Sequence, residues 1–244
     1  MACFLPSLAY LPLWALLFIP KKLLGRMTDS IQSTGEFGIP SKIICVGRNY
    51  PAHAEELGND VPEEPLLFLK PPSSIIGDGD QIVIPDGVGE VHYEGEIGVR
   101  ISESGRHISE ENAWTFVDGV MPVNDVTARQ VQRAENQWFK GKGFDTFCPL
   151  GDVFPSTLDE FEELVVVTRV NGHERQKGMV SEMIFAVPFL IAYISRVVTL
   201  ERGDIVVTGT PAGVGSLSIG DIVEVELIGR SILRNSVVGE SVNG

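Results

Sequence analysis

The run Val91-His92-Tyr93-Glu94-Gly95-Glu96-Ile97-Gly98-Val99-Arg100-Ile101 decides how this chain is read. Its valine and isoleucine content and its flanking turn residues predict a β-strand. Side chains two apart share one face of a strand, so Glu94 and Glu96 project side by side. Like charges held in register repel. Either this is a solvated strand face, or a hard cation lies between the two carboxylates; Mg²⁺ takes one or two carboxylates together with waters and a bidentate ligand.

Working outward from that run, the chain from Ser41 onward consists of short β-prone stretches broken by Gly and Pro. Strands are predicted over Lys42–Val46, Leu66–Leu69, Gln81–Ile84, Leu164–Val170, Ile205–Thr208 and Ile222–Leu227. One helix is predicted from about Ser181 to Ser195, with Ser181 as N-cap and Pro188 as a kink. Shorter helices are expected near Pro51–Leu57 and Val126–Asn136. Strands and helices do not alternate regularly, which excludes a doubly wound sheet or a (β/α)₈ barrel. The fold class is α+β, mostly β, in one domain over residues 41–244, after a lead-in over 27–40.

Composition narrows the function. The chain has 244 residues, enough to bury a substantial core, and carries 19 Lys+Arg against 33 Asp+Glu, a formal charge of −14. Such a chain repels phosphate backbones, so no nucleic-acid partner is expected. The three cysteines, Cys3, Cys45 and Cys148, are odd in number and lack metal-ligand spacing, which fits a reducing compartment such as the cytoplasm. Residues 1–26 form an apolar extension closed by Lys21, Lys22 and Arg26. It reads as a membrane anchor with a cytoplasmic basic flank, or as an extension ahead of a start at Met27; Pro6 and Pro12 weigh against a span, and a signal-peptide cleavage site is lacking.

Four further stretches bear on chemistry. Asp125, in Pro122–Arg129, ends the apolar run Phe116–Val123; it is either a helix N-cap or a third carboxylate at a strand end. In Phe139–Pro149, Lys140 and Lys142 are either exposed or placed to stabilise enolate charge; Cys148 has no neighbouring base and reads as a buried thiol. In Gly47–Glu56, His53 and Glu56 stand three apart on a helix, either as a surface pair or as a carboxylate-oriented general base. Thr208–Gly215 lacks the Lys-Ser/Thr of a phosphate loop and reads as a tight loop offering backbone N–H groups and the Thr210 hydroxyl to a small carboxylate.

Taken together and in order, Val46–Tyr50 with His53 and Glu56, Phe68-Leu69-Lys70-Pro71, His92–Val99, Asn124–Gln132, Lys142–Gly151, Val170-Asn171-Gly172 and Thr208–Gly215 resemble the fumarylacetoacetate hydrolase family. The resemblance runs from about Ser41 to Gly239 and is to its short acylpyruvase and oxaloacetate tautomerase members. It implies a mixed β-roll, a homodimer, and Mg²⁺ or Mn²⁺ held by Glu94, Glu96 and Asp125. It also implies Lys142 as catalytic lysine and His53 with Glu56 as a water-activating dyad on a lid segment. Lys142 rather than Lys140 is selected because the family lysine lies two residues before the Phe-Asp pair. Thr210 and Gln132, with Arg48, Lys70 and Arg129, match substrate-binding positions. Gln130 departs from the family pattern, which usually has Asp after the arginine. The activity implied is metal-dependent C–C hydrolysis of a 2,4-dioxo acid; the alternatives are oxaloacetate tautomerisation or decarboxylation, and isomerisation or decarboxylation of a hydroxymuconate-type dioate.

Overall fold

The computed structural model describes residues 38–58 and 60–240. Residues 1–37, which hold the expected apolar extension and most of the lead-in, lie outside them. Among the described residues no helix is long and apolar enough to cross a membrane. Among the described residues fifteen strands form four sheets. The first has the order β2 (Leu66–Lys70), β1 (Ile43–Gly47), β12 (Ile205–Val207), β6 (Gly95–Ile101), β7 (Val117–Asn124). The second runs β11 (His173–Met179), β10 (Val165–Val170), β14 (Ile222–Leu227), β15 (Ser231–Gly239), β4 (Gln81–Ile84). A three-stranded sheet joins β13 (Gly215–Leu217), β5 (Val91–Tyr93) and β8 (Thr127–Ala128). Finally β3 (Ile75–Ile76) pairs β9 (Cys148–Pro149).

Strand β1 shows why the first sheet is central. All five residues of Ile-Ile-Cys-Val-Gly are buried, between antiparallel β2 and parallel β12. The two-residue period sends Ile44 and Val46 into the main core and Ile43 and Cys45 into a smaller one with Met121 and Cys148. On β6, Ile97, Val99 and Ile101 enter the main core in the same way and meet Leu190, Ile191 and Ile194 of α5 (Val187–Val197). Each such side chain stabilises the fold by about 1.5–3 kcal/mol.

Three expectations are corrected. The predicted strand Val91–Ile101 is two strands in different sheets, parting at Glu94. A Cβ on Gly95 would collide with Thr168 of β10, so the chain crosses there at a position only glycine fills. The predicted helix from Ser181 is a single 3₁₀ turn, Val180–Glu182, followed by α5, in whose first turn Pro188 stands as second residue and produces no kink; a first-turn proline gives up an N–H that has no helical partner in any case. Over Val126–Asn136, β8 precedes a helix α2 confined to Arg129–Ala134. The remaining helices are α1 (Pro51–Glu56), α3 (Phe139–Lys142) and α4 (Leu158–Glu162), with α4 opened by a Thr157–Glu160 capping box.

Candidate active site

The three acidic residues converge because of strand register. Gly95 pairs with Asn124 across β6 and β7, so Asp125, the next residue, stands opposite Glu94. The Asp125 N–H donates to the Glu94 carbonyl at 2.8 Å, and the Glu94 N–H donates to Asn124 Oδ1 at 3.0 Å. Glu96 follows on β6 and accepts from the Gly209 N–H. One carboxylate oxygen from each of Glu94, Glu96 and Asp125 lies within 4.8 Å of the others, and all three side chains are buried. They form the floor of a cavity of about 280 Å³.

Three cations face those carboxylates. Lys142, at the end of α3, donates to Glu94 Oε2 at 2.6 Å and to Asp125 Oδ2. Arg129, at the start of α2, donates to Glu94 Oε1 and, through Nη1, to Gln132 Oε1 at 2.8 Å. Lys70, at the end of β2, donates to Asp125 Oδ1 and to the Val126 carbonyl. Burial opposes ionisation of Glu94, but Lys142 and Arg129 outweigh it and hold its carboxyl well below the usual range. Glu96 moves the other way: burial raises it, and the Asp125 and Glu94 charges raise it further. A buried triad of hard oxygen donors fits a hard divalent cation.

One wall is α1. His53 is buried, lines the cavity, and places Nδ1 3.3 Å from Glu56 Oε2. Glu56 in turn accepts from the Gly213 N–H at 3.0 and 3.1 Å, which ties α1 to the Thr208–Gly215 loop. Gly213 has φ 100°, and a Cβ there would run into the Arg175 carbonyl. Thr210 also lines the cavity, with its hydroxyl donating to the Gly95 carbonyl at 3.0 Å. At the rim stand Arg48, Arg133, Glu135 and Trp138.

Among the residues singled out in the sequence, Glu94, Glu96, Asp125, Lys142, His53, Arg129, Gln132, Thr210 and Arg48 line one cavity. Glu56 sits behind His53. Lys70 does not line it; the lysine is enclosed behind Asp125, where it holds that carboxylate in place. Lys140 points away, exposed and paired with Glu135 at 2.8 Å, which separates it from Lys142. Cys148 is fully buried, its thiol pushed up to about 12 by burial, as an inert thiol should be. Two residues escaped the sequence reading. Gln176 on β11 accepts from the Gly95 N–H at 2.9 Å and donates to Thr210 Oγ1 at 2.7 Å and to the Pro211 carbonyl at 2.8 Å, clamping the acidic strand to the loop. Asn49 donates to the Phe185 and Thr208 carbonyls and accepts from the Phe185 N–H. Both are single amides in polar surroundings, where no spacing rule singles them out.

Known proteins share this arrangement of chain. Residues 42–238 match the family described as fumarylacetoacetate (FAA) hydrolase C-terminal. The oxaloacetate tautomerase YisK of Bacillus subtilis is 44% identical over 211 residues, covering 81% of this chain and 70% of that protein. A crystal structure of a 5-carboxymethyl-2-hydroxymuconate delta-isomerase from Mycobacterium smegmatis superimposes with a TM-score of 0.77 at 41% identity, covering 83% of this chain and 80% of that one. The fumarylpyruvate hydrolase of Pseudomonas aeruginosa, crystallised with Mn²⁺ and pyruvate, gives 0.78 at 32% identity, covering 84% and 91%. With its α+β architecture, its buried acidic triad and a match spanning most of its length, the chain belongs to the fumarylacetoacetate hydrolase family of enzymes.

Proposed function

We propose that this enzyme interconverts the keto and enol forms of a small 2-oxo acid, with oxaloacetate as the leading substrate. The observation that carries this reading is the Lys142 ammonium bridging Glu94 and Asp125 at the floor of a closed-in acidic cavity. A cation fixed there stabilises the negative charge that grows on an enolate oxygen, and in a water-poor site it is worth more than in solution. Burial alone would lower the Lys142 pKa, but the Asp125 and Glu94 charges outweigh it and drive it upward, which favours the ammonium form. Glu94, Glu96 and Asp125 would hold Mg²⁺ or Mn²⁺, which supplies Lewis acidity toward the 2-keto oxygen. His53, oriented by Glu56, lines the same cavity and is the group placed to take a proton from the substrate carbon and return it. Arg129 and Gln132, linked to one another, orient the substrate carboxylate, and Thr210 shapes the opposite wall. The similarity to an oxaloacetate tautomerase supports this choice of substrate.

A second reading, hydrolysis of an acylpyruvate, is favoured by the same dyad. His53 would deprotonate a water that attacks the 4-carbonyl of a 2,4-dioxo acid. The bond between carbons 3 and 4 then breaks, a carboxylic acid leaves, and Lys142 stabilises the pyruvate enolate. The likeness to a fumarylpyruvate hydrolase supports it. The likeness to a hydroxymuconate isomerase keeps isomerisation of a dioate as a third outcome of the same enol chemistry. A homodimer in the cytoplasm completes the reading, and sizing by light scattering tests the dimer.

The deciding assay follows enol absorbance of oxaloacetate and of acetylpyruvate, each with Mg²⁺ and with EDTA. Metal-dependent enol decay on oxaloacetate without pyruvate formation is the expected result. Pyruvate released from acetylpyruvate would establish the hydrolase. Decay of neither, with folded and metal-loaded protein, would overturn both.

A further inference from the structure

Glu56 stands at the end of α1, a helix of six residues, with its side chain 33% exposed. Among the described residues its carboxylate has two hydrogen-bonding partners: His53 Nδ1 at 3.3 Å, and the Gly213 N–H at 3.0 and 3.1 Å. A carboxylate only accepts, so in the neutral imidazole the proton belongs on Nδ1 and the lone pair on Nε2. That is the tautomer a base in this cavity needs. His53 lines the cavity, and its Nε2 makes no hydrogen bond among the described residues. How Glu56 is oriented therefore depends on where the Gly213 N–H points.

A glycine in a loop has a wide choice of backbone angles, and a fixed N–H direction has to be imposed by its neighbours. Tyr93 imposes it here. Its hydroxyl donates to the Gly213 carbonyl at 2.9 Å. The tyrosine is buried on β5, directly opposite Gly215 of β13, and a Cβ on Gly215 would meet its hydroxyl. From the other side the Arg175 carbonyl of β11 stands where a Cβ on Gly213 would lie, which closes the space the loop would swing into. Gly213 thus carries Tyr93 on its C=O and Glu56 on its N–H. Tyr93 also immediately precedes Glu94, so one line of contacts joins the acidic floor to the imidazole: Tyr93, Gly213, Glu56, His53.

We infer that Tyr93 is a positioning residue for proton transfer: by holding the Gly213 carbonyl it aims the Gly213 N–H at Glu56, which keeps the His53 proton on Nδ1 and leaves Nε2 free to act. This rests on the reading of His53 as the group that moves the proton, and it adds what sets that group's tautomer. Tyr93 touches neither His53 nor the cavity, and its effect passes through the loop peptide and the Glu56 carboxylate. Without the hydroxyl, Gly213 regains its freedom, Glu56 loses its fixed donor to water, and the ring is released to carry its proton on either nitrogen.

Nitrogen NMR of the full chain labelled in its histidines reads the tautomer without substrate or metal, and His53→Gln identifies the His53 signals among the four histidines. At a pH where the ring is neutral, the wild type should hold the proton on Nδ1, and Tyr93→Phe should shift it in part to Nε2. That variant loses one hydroxyl and keeps the ring against Gly215; a thermal melt confirms that it folds, and the wild-type tautomer is informative even where it does not. In tautomerisation of oxaloacetate with Mg²⁺, Tyr93→Phe should lower kcat about 2- to 10-fold, the worth of one neutral hydrogen bond, with KM within about twofold. Glu56→Ala removes the group through which Tyr93 acts, so adding Tyr93→Phe to it should cost nothing further, whereas a merely structural tyrosine would multiply the two losses. A wild-type proton on Nε2, a tautomer unchanged in Tyr93→Phe, an unchanged kcat or multiplied losses would each overturn the inference. A tautomer that shifts in an enzyme inactive on oxaloacetate upholds the brace and refutes the tautomerase reading, so the two fail separately.

Discussion

The floor and the rim of the cavity carry the same residue types under opposite conditions. Lys142 and Lys140 are two residues apart on α3, yet one is buried between Glu94 and Asp125 and the other is exposed beside Glu135. On the floor every charge is enclosed and partnered, so removing one leaves its partner unpaired away from water, at a cost of several kcal/mol. At the rim water replaces a lost partner, and an ion pair contributes about 0–1 kcal/mol. Charge on the floor therefore holds structure together, whereas charge at the rim is left to solvent.

Lys142→Met tests that contrast most severely. Turnover should fall about 10²- to 10³-fold, as when a transition-state charge loses its fixed partner. Unfolding by denaturant should show a loss of about 3 kcal/mol, the low end for a broken buried pair, since Arg129 and Lys70 remain. A variant as stable as the wild type would mean that the floor is wetter than its burial suggests. His53→Ala should come next: oxaloacetate tautomerisation should drop about 10²-fold or more, because the group placed to move the proton is gone. A variant that keeps the wild-type rate would remove His53 from the proton transfer. Gln176→Leu tests whether the floor extends beneath the visible cavity. It strips donors and acceptors from Gly95, Thr210 and Pro211, and each group left unsatisfied costs about 1–3 kcal/mol; the shift in melting temperature measures it. The smallest effect belongs to Lys140→Ala, which should change stability by no more than about 0.5 kcal/mol and leave turnover within about twofold in the same assays. A large loss there would erase the distinction between the two lysines.

Legibility followed the same division. The acidic triad and Lys142 were readable because residues of one type recur at spacings that a strand or a family motif makes meaningful. The β-rich class was readable from Val- and Ile-rich runs such as Ile43–Gly47, whose five residues are all buried. Strand β11, His-Glu-Arg-Gln-Lys-Gly-Met, was not: as a sheet edge it keeps five of its seven side chains exposed, so it carries no apolar pattern although it delivers Gln176. The helix predicted from Ser181 failed because apolar residues alone do not set a start; Pro188 belongs in the first turn, where it gives up an N–H that has no helical partner.

What the sequence by itself determined is the inventory: an α+β chain rich in strands, an excess of acidic residues, three carboxylates, and two nearby lysines of which the family resemblance prefers Lys142. What only the tertiary structure decided is assignment. Glu94 and Glu96 read as neighbours on one strand, but the chain parts at Glu94, and it is the pairing of Gly95 with Asn124 that brings Asp125 to them from just past the end of β7. Lys70 read as a substrate contact and proved to stand behind Asp125. Arg48 and Arg129 read alike, yet Arg129 is buried and paired with Glu94 while Arg48 stands at the rim over Trp138. The physical reason is common to all three: a residue's type sets which charge it brings, while burial and partner, which sequence spacing does not encode across strands, set whether that charge is spent on the fold or available to a ligand.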